Sequence, residues 1–255
     1  MGAMNDPHVV ALIYRVKHDA SVNYEKAAPL EHDGDAFTVR VKDGEARFEM
    51  KDQFETAEAA REAVEPFIRR WEFAASLERG PGEFELLFKN AEIEDRNPTP
   101  GVVHVSAGAI AVSGMSASVV VGRGHYPDPP EGIAVNADVE AMLARYSRYR
   151  QGKDTLPGMA YFCLTVLEES AGNRAAIASK FNVAGSVLSS LGRLTGEKGG
   201  TEARKGQGRT HEFTPVERKW LDEAVKRLIR RAAEVAHDPA QSRQQITMAD
   251  LPYVK

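Results

Sequence analysis

Between Arg174 and Thr195 the chain carries a short helical pattern (Ala175–Phe181), a tight turn at Asn182-Val183-Ala184 and a second helical pattern (Gly185–Thr195). The size and spacing are those of a helix-turn-helix. Ala178, Val183, Val187, Leu188 and Leu191 fall where the two helices would touch, which turns Ser186, Ser189, Ser190 and Arg193 outward. These outward side chains are small and polar enough to enter a nucleic-acid groove. Just downstream, Lys198, Arg204, Lys205 and Arg209 are spaced by glycines. They would form a basic loop suited to phosphates, which dominate the affinity of such contacts. A single arginine on the presenting helix favours phosphate contact over base-specific readout. A plain helical hairpin inside a bundle satisfies the same pattern.

A second polar constellation, Arg230, Arg231 and His237, lies near the end of the last long helical pattern. Arg230 and His237 are seven positions apart, so they sit about 20° from each other around a helix axis, on one side with Glu223, Arg227 and Glu234. The bland reading is an ion-paired surface face: Glu223 with Arg227 and Arg230 with Glu234 one turn apart, and a histidine favouring the C-terminal end of the helix dipole.

Arg231-Ala-Ala-Glu-Val-Ala-His237 and the longer Arg230-to-His237 spacing both resemble the Arg-x(4–6)-His motif of the HEPN superfamily, small all-helical domains that in many bacterial members are metal-independent ribonucleases. The resemblance covers Asp138 to His237. It implies His237 as general acid/base on a ribose 2′-hydroxyl, Arg230 or Arg231 as stabiliser of the developing phosphorane charge, and a dimeric enzyme without cofactor. The order of motifs over both halves also resembles a bacterial protein family, a likeness that implies no function.

Other chemistries lack their residues. There is no phosphate-binding P-loop, no dinucleotide-binding glycine pattern following a strand, and no metalloprotease His-Glu-x-x-His. Gly114-Met-Ser-Ala-Ser118 lacks the second glycine of a nucleophile elbow. Glu31-His32-Asp33-Gly34-Asp35 is the one local run of hard ligands, yet it lacks the calcium-loop pattern and reads as an exposed turn. Neither a metal nor a cofactor is expected. His104 reads as a strand residue and Cys163 as core packing.

The elements that must position these residues are of two kinds. Val9–Val16 is a β-rich run, and Phe37–Val41 with Arg47–Met50 flank Asp43-Gly44, a hairpin-turn dipeptide. Thr56 caps a helix predicted over Ala57–Glu78, whose apolar face holds Val64, Phe67, Ile68, Trp71, Phe73 and Leu77. Pro66 is expected to kink or split it. Gly80-Pro81-Gly82 ends the helix, Phe84–Glu94 alternates as a half-buried strand, and Val102–Val121 suggests two more strands with a turn near Ser113-Gly114. The expectation is α+β: a mostly antiparallel sheet with one main helix over residues 7–124, a proline-rich linker at 125–137, and an all-α bundle over 138–255. In that bundle Asp138–Arg150 is amphipathic, and Leu156–Ser170, apolar on every side, should lie at the centre. A helix from Pro215 to His237 begins with the capping box Thr214…Glu217 and presents Val216, Trp220, Ala224, Leu228, Ala232 and Val235. The tail, with Ile246, Met248 and Leu251, should strap the bundle.

Charge divides along the same line. Residues 1–100 hold 13 Lys/Arg against 21 Asp/Glu, net −8, whereas residues 173–255 hold 15 against 9, net +6. An anionic partner, DNA or RNA, suits the C-terminal part, and a protein partner suits the N-terminal one; docking of one half on the other would use the same charges. No stretch is long and apolar enough to span a bilayer, Met1–Asp6 lack the apolar run of a signal peptide, and a single cysteine suits a reducing compartment. The expectation is therefore a cytoplasmic, regulatory or defence-associated protein that binds nucleic acid through its helical part. The alternatives are a HEPN-like ribonuclease acting as a homodimer and a protein-interaction module without nucleic acid.

Overall fold

The computed structural model describes residues 6–97, 121–198 and 211–253. The chain divides into two compact units, 1–129 and 130–255.

The first unit is built on strands β1 (Pro7–Lys17), β2 (Val22–Asn23), β3 (Leu30–Asp33), β4 (Phe37–Lys42), β5 (Glu45–Met50), β6 (Glu85–Asp95) and β7 (Val121–Gly122). Five of them form an antiparallel sheet in the order β3-β4-β5-β1-β6, and β2 pairs with β7 in parallel. Asp43 (φ 52°) and Gly44 (φ 77°) both take the left-handed conformation. Two successive positive φ angles make the hairpin turn whose twist matches that of the flanking strands.

Helix α1 (Ala57–Glu78) starts where Thr56 Oγ1 accepts the Ala59 amide at 3.2 Å. The expected break at Pro66 does not occur, and one helix of 22 residues runs through it. Pro66 deprives the Glu62 carbonyl of its helical partner, but both residues are exposed, so the loss is not a buried one. The inner face of α1 meets the sheet through aromatic rings: Phe67 lies 5.0 Å from Phe37 and 5.5 Å from Trp71. Residues at each end of the proline-rich segment expected as a linker are packed against a unit. Tyr126 is wholly buried, stacked on Tyr24 at 5.0 Å, and the Trp71 indole N–H donates to Pro127 O at 2.9 Å. At its other end the Ala134 amide donates to Ala233 O within the second unit. The strands expected at Val102–Val121, and His104 with them, lie outside the described residues except for Val121 itself.

The second unit is all-helical: α2 (Ala137–Arg150), α3 (Leu156–Ala171), α4 (Arg174–Lys180), α5 (Gly185–Glu197) and α6 (Pro215–His237). Helix α3 touches each of the other four, and Met159, Ala160, Cys163 and Leu164 on it are fully buried. It is the central helix its all-round apolar sequence predicts. Thr214 and Glu217 form the expected capping box. The buried face of α6 is broader than predicted, since Leu221, Val225, Ile229 and Ala233 join it, and Val216 is 46% exposed in the first turn. The architecture is α+β, an antiparallel sheet unit followed by helices. Among the described residues no helix is long and apolar enough to cross a membrane.

Candidate nucleic-acid interface

Helices α4 and α5 pack as a hairpin through Ile177, Phe181, Val183, Val187, Leu188 and Leu191, all buried. Ala178, expected at this contact, is only half-buried; Ile177, one position earlier, takes its place. Asn173 caps α4 by accepting the Ala176 amide at 3.0 Å. The turn reverses at Asn182, whose φ of 47° is a conformation asparagine tolerates better than most residues. Ala184, at the N-cap of α5, has no side-chain oxygen to offer, so the first turn of α5 begins at exposed Gly185 and Ser186 without a capping side chain.

One guanidinium holds this turn in place. Arg231 is 8% exposed, and its Nη1 donates to Phe181 O at 2.7 Å and Asn182 O at 3.2 Å. Its Nη2 donates to Gln244 O at 2.7 Å and its Nε to Glu234 Oε2 at 2.9 Å. Burying such a cation is costly unless charge and donors are both satisfied, and here a carboxylate and three carbonyls satisfy them. The tail completes the junction: the Ile246 amide donates to Asn182 O, the Ala184 amide to Ile246 O, and Asn182 Nδ2 to Arg243 O at 2.6 Å. Ile246, one of the three residues of the predicted strap, is thereby fixed against the turn. A signal for this role existed. Arg231 sits three residues after Leu228 and four before Val235, inside the predicted apolar face of α6 rather than on the polar face with Arg230.

Of the residues predicted to meet nucleic acid, Ser186, Ser189 and Arg193 are exposed along α5 and Ser190 is half-buried. Arg174 on α4, not singled out from sequence, joins them. Its Nε donates to Glu168 Oε1 at 3.0 Å, and its guanidinium lies against Gly192, where a Cβ would come within 2.7 Å of Nη2. A glycine inside a helix costs about 1 kcal/mol relative to alanine. Here it makes room for Arg174, and that misplaced glycine is the trace the sequence carries. Lys198 stands differently from the expectation of a mobile phosphate ligand: its ammonium lies 3.2 Å from Glu217 Oε1 and its backbone bridges to His211. It ties the end of α5 to the start of α6. Burial pushes the Glu217 carboxyl up, but the Thr214 amide and hydroxyl and the Lys198 ammonium outweigh burial and hold it below its ordinary range. Arg204, Lys205 and Arg209 lie outside the described residues.

The Arg/His constellation is divided by the fold. Arg230 is exposed with its Nε 3.5 Å from Glu234 Oε1, His237 is exposed at the last position of α6, and Arg231 turns inward to the junction just described. Glu234 therefore serves both arginines. Burial pushes the Tyr146 hydroxyl of α2 up to about 12 and raises the carboxyl of Asp222 on α6, whose Oδ1 is buried without a hydrogen-bond partner. Burial likewise pushes the Cys163 thiol up to about 12, which leaves it inert as a nucleophile.

Of the run Glu31–Asp35, Glu31, His32 and Asp33 lie in edge strand β3, and they make separate contacts. Glu31 pairs with Arg40 at 2.7 Å, Asp33 with Lys51 at 2.7 Å, and His32 stacks on Phe67 at 5.3 Å. Among the described residues no three His, Cys, Asp or Glu side chains gather to hold a metal ion. No protein-family model, curated protein or solved structure matches this chain.

Proposed function

We propose that the protein binds nucleic acid, RNA or DNA, through phosphate contacts made by the α4–α5 hairpin, and that it acts as a regulatory or defence-associated binder rather than as an enzyme. The observation that carries this reading is the placement of α5. Arg231 and the tail lock the turn before it, its outer face presents Ser186, Ser189 and Arg193, and Arg174 is seated alongside over Gly192. Uncapped amides at an exposed helix start, hydroxyls and guanidinium groups are the donors that take phosphate oxygens. Arg204, Lys205 and Arg209, outside the described residues, are further candidate phosphate ligands by sequence. The unit that carries the hairpin, residues 130–255, is net +4, with 19 Lys/Arg against 15 Asp/Glu, whereas residues 1–129 are net −8.

The test is fluorescence anisotropy of the full chain against short single- and double-stranded RNA and DNA. Binding that weakens at least tenfold between about 50 and about 200 mM salt is the expected result, because phosphate contacts release counterions. No binding at the lower salt overturns the reading. In the ribonuclease alternative the surface arginine is Arg230, since the donors of Arg231 are committed to the turn. Cleavage of RNA that disappears in His237→Ala would move the function to the end of α6.

A further inference from the structure

The second unit encloses a pocket of about 390 Å³ between the start of α2, the ends of α3 and α6, and α4. Val139, Met142, Leu167, Phe181 and Val235, each buried, line its floor. Its rim is polar: Asp138 from α2, Ser170 from α3, and Ser179 and Lys180 from α4. The volume falls at the lower end of the range of small-molecule sites, about 300–1,000 Å³, and an apolar floor with a few polar groups at its mouth is their usual construction.

We infer that this pocket is a binding site for a small zwitterion with an apolar side chain, an apolar α-amino acid. The rim carries one ammonium and one carboxylate, and among the described residues neither Lys180 nor Asp138 makes an ion pair. Lys180 is nonetheless held in place, since its Nζ donates to Ser170 O and Ser170 Oγ, both at 2.9 Å. An ammonium has three donors, so one remains for a ligand carboxylate, while Asp138 at the rim supplies a carboxylate to a ligand ammonium. A plain carboxylic acid would meet Lys180 but be repelled by Asp138, and an amine would meet the reverse. Only a ligand carrying both charges complements the rim, and only one with an apolar side chain covers the floor. The site is independent of the nucleic-acid reading and is tested without nucleic acid.

Isothermal titration calorimetry on the full chain decides it, with leucine, methionine and phenylalanine as titrants and 4-methylpentanoate and isopentylamine as single-charge controls. Saturable one-to-one binding of at least one amino acid is expected, with tenfold or greater weakening for both controls. Lys180→Ala and Asp138→Ala should each weaken binding tenfold or more with unchanged circular dichroism. Ala236→Trp, at the half-buried wall, should abolish it. Absence of binding by all three amino acids overturns the inference, as does 4-methylpentanoate binding as tightly as leucine, or wild-type affinity in both charge variants.

Discussion

The two units each reverse the chain through left-handed residues, and they draw on distant support to different extents. The β4–β5 hairpin turns at Asp43 and Gly44 and is held mainly by its own strands, paired from Phe37↔Met50 to Lys42↔Glu45, with the Gly44 amide also donating to the Tyr126 hydroxyl at 3.0 Å and its carbonyl accepting the Val16 amide at 2.8 Å. The α4–α5 turn at Asn182 is held by residues far along the chain, Arg231 at a separation of 50 positions and Arg243 at 61. A turn held locally is as stable as its sheet. A turn held from a distance depends on a few polar contacts, and those contacts fix the orientation of everything the second helix presents.

The largest expected effect breaks the distant support. Arg231→Met removes the buried guanidinium that joins Glu234 to the turn and leaves the carbonyls of Phe181 and Gln244 without this donor, while Asn182 O keeps the Ile246 amide. A loss of roughly 3–5 kcal/mol is expected from breaking such a buried cluster, read by urea unfolding; a loss under about 1 kcal/mol would show that the junction is dispensable. Asn182→Ala comes next, at about 2 kcal/mol, from the strain of a Cβ at positive φ together with the lost bond to Arg243 O. Gly44→Ala in the hairpin sharpens the contrast. It has the same strain, but its bonds to Tyr126 and Val16 are made by backbone atoms that alanine keeps, so it should cost only about 1 kcal/mol.

Two carboxylates on α6 should give opposite pH signatures. Asp222 has its folded-state pKa raised by burial, so the stability it contributes is present in acid and lost as pH rises through that value. Glu217 has its pKa lowered, so its contribution is present near neutrality and lost as pH falls. Thermal unfolding should find Asp222→Asn more stable than the parent and Glu217→Gln less stable at neutral pH, with both differences shrinking toward acid. The reverse ordering would contradict the environments described for them. The smallest effect belongs to the exposed Glu31–Arg40 pair, where Arg40→Ala should cost no more than about 0.5 kcal/mol.

The same contrast explains what was legible in the sequence. The hairpin, α1 with its Thr56 cap and α6 with its capping box are written in neighbouring residues, so period and cap chemistry locate them. The two-residue strands β2 and β7 have no period to read, and β3 resembled a turn because its Glu31, His32 and Asp33 are polar throughout. Arg231 was grouped with His237 by spacing along the chain, although its phase on α6 placed it among Leu228 and Val235. The outward face of α5 followed from helical periodicity, whereas Arg174 entered it only through Gly192, a packing relation between helices that no local pattern contains.

The most direct test of the proposed surface is a paired charge reversal measured by anisotropy at low salt. Arg174→Glu with Arg193→Glu should weaken RNA or DNA binding by tenfold or more, while Arg40→Glu on the sheet unit leaves it unchanged and circular dichroism reports intact helices in both. Equal affinity in the parent and the α4–α5 variant would contradict the assignment of nucleic-acid binding to this hairpin.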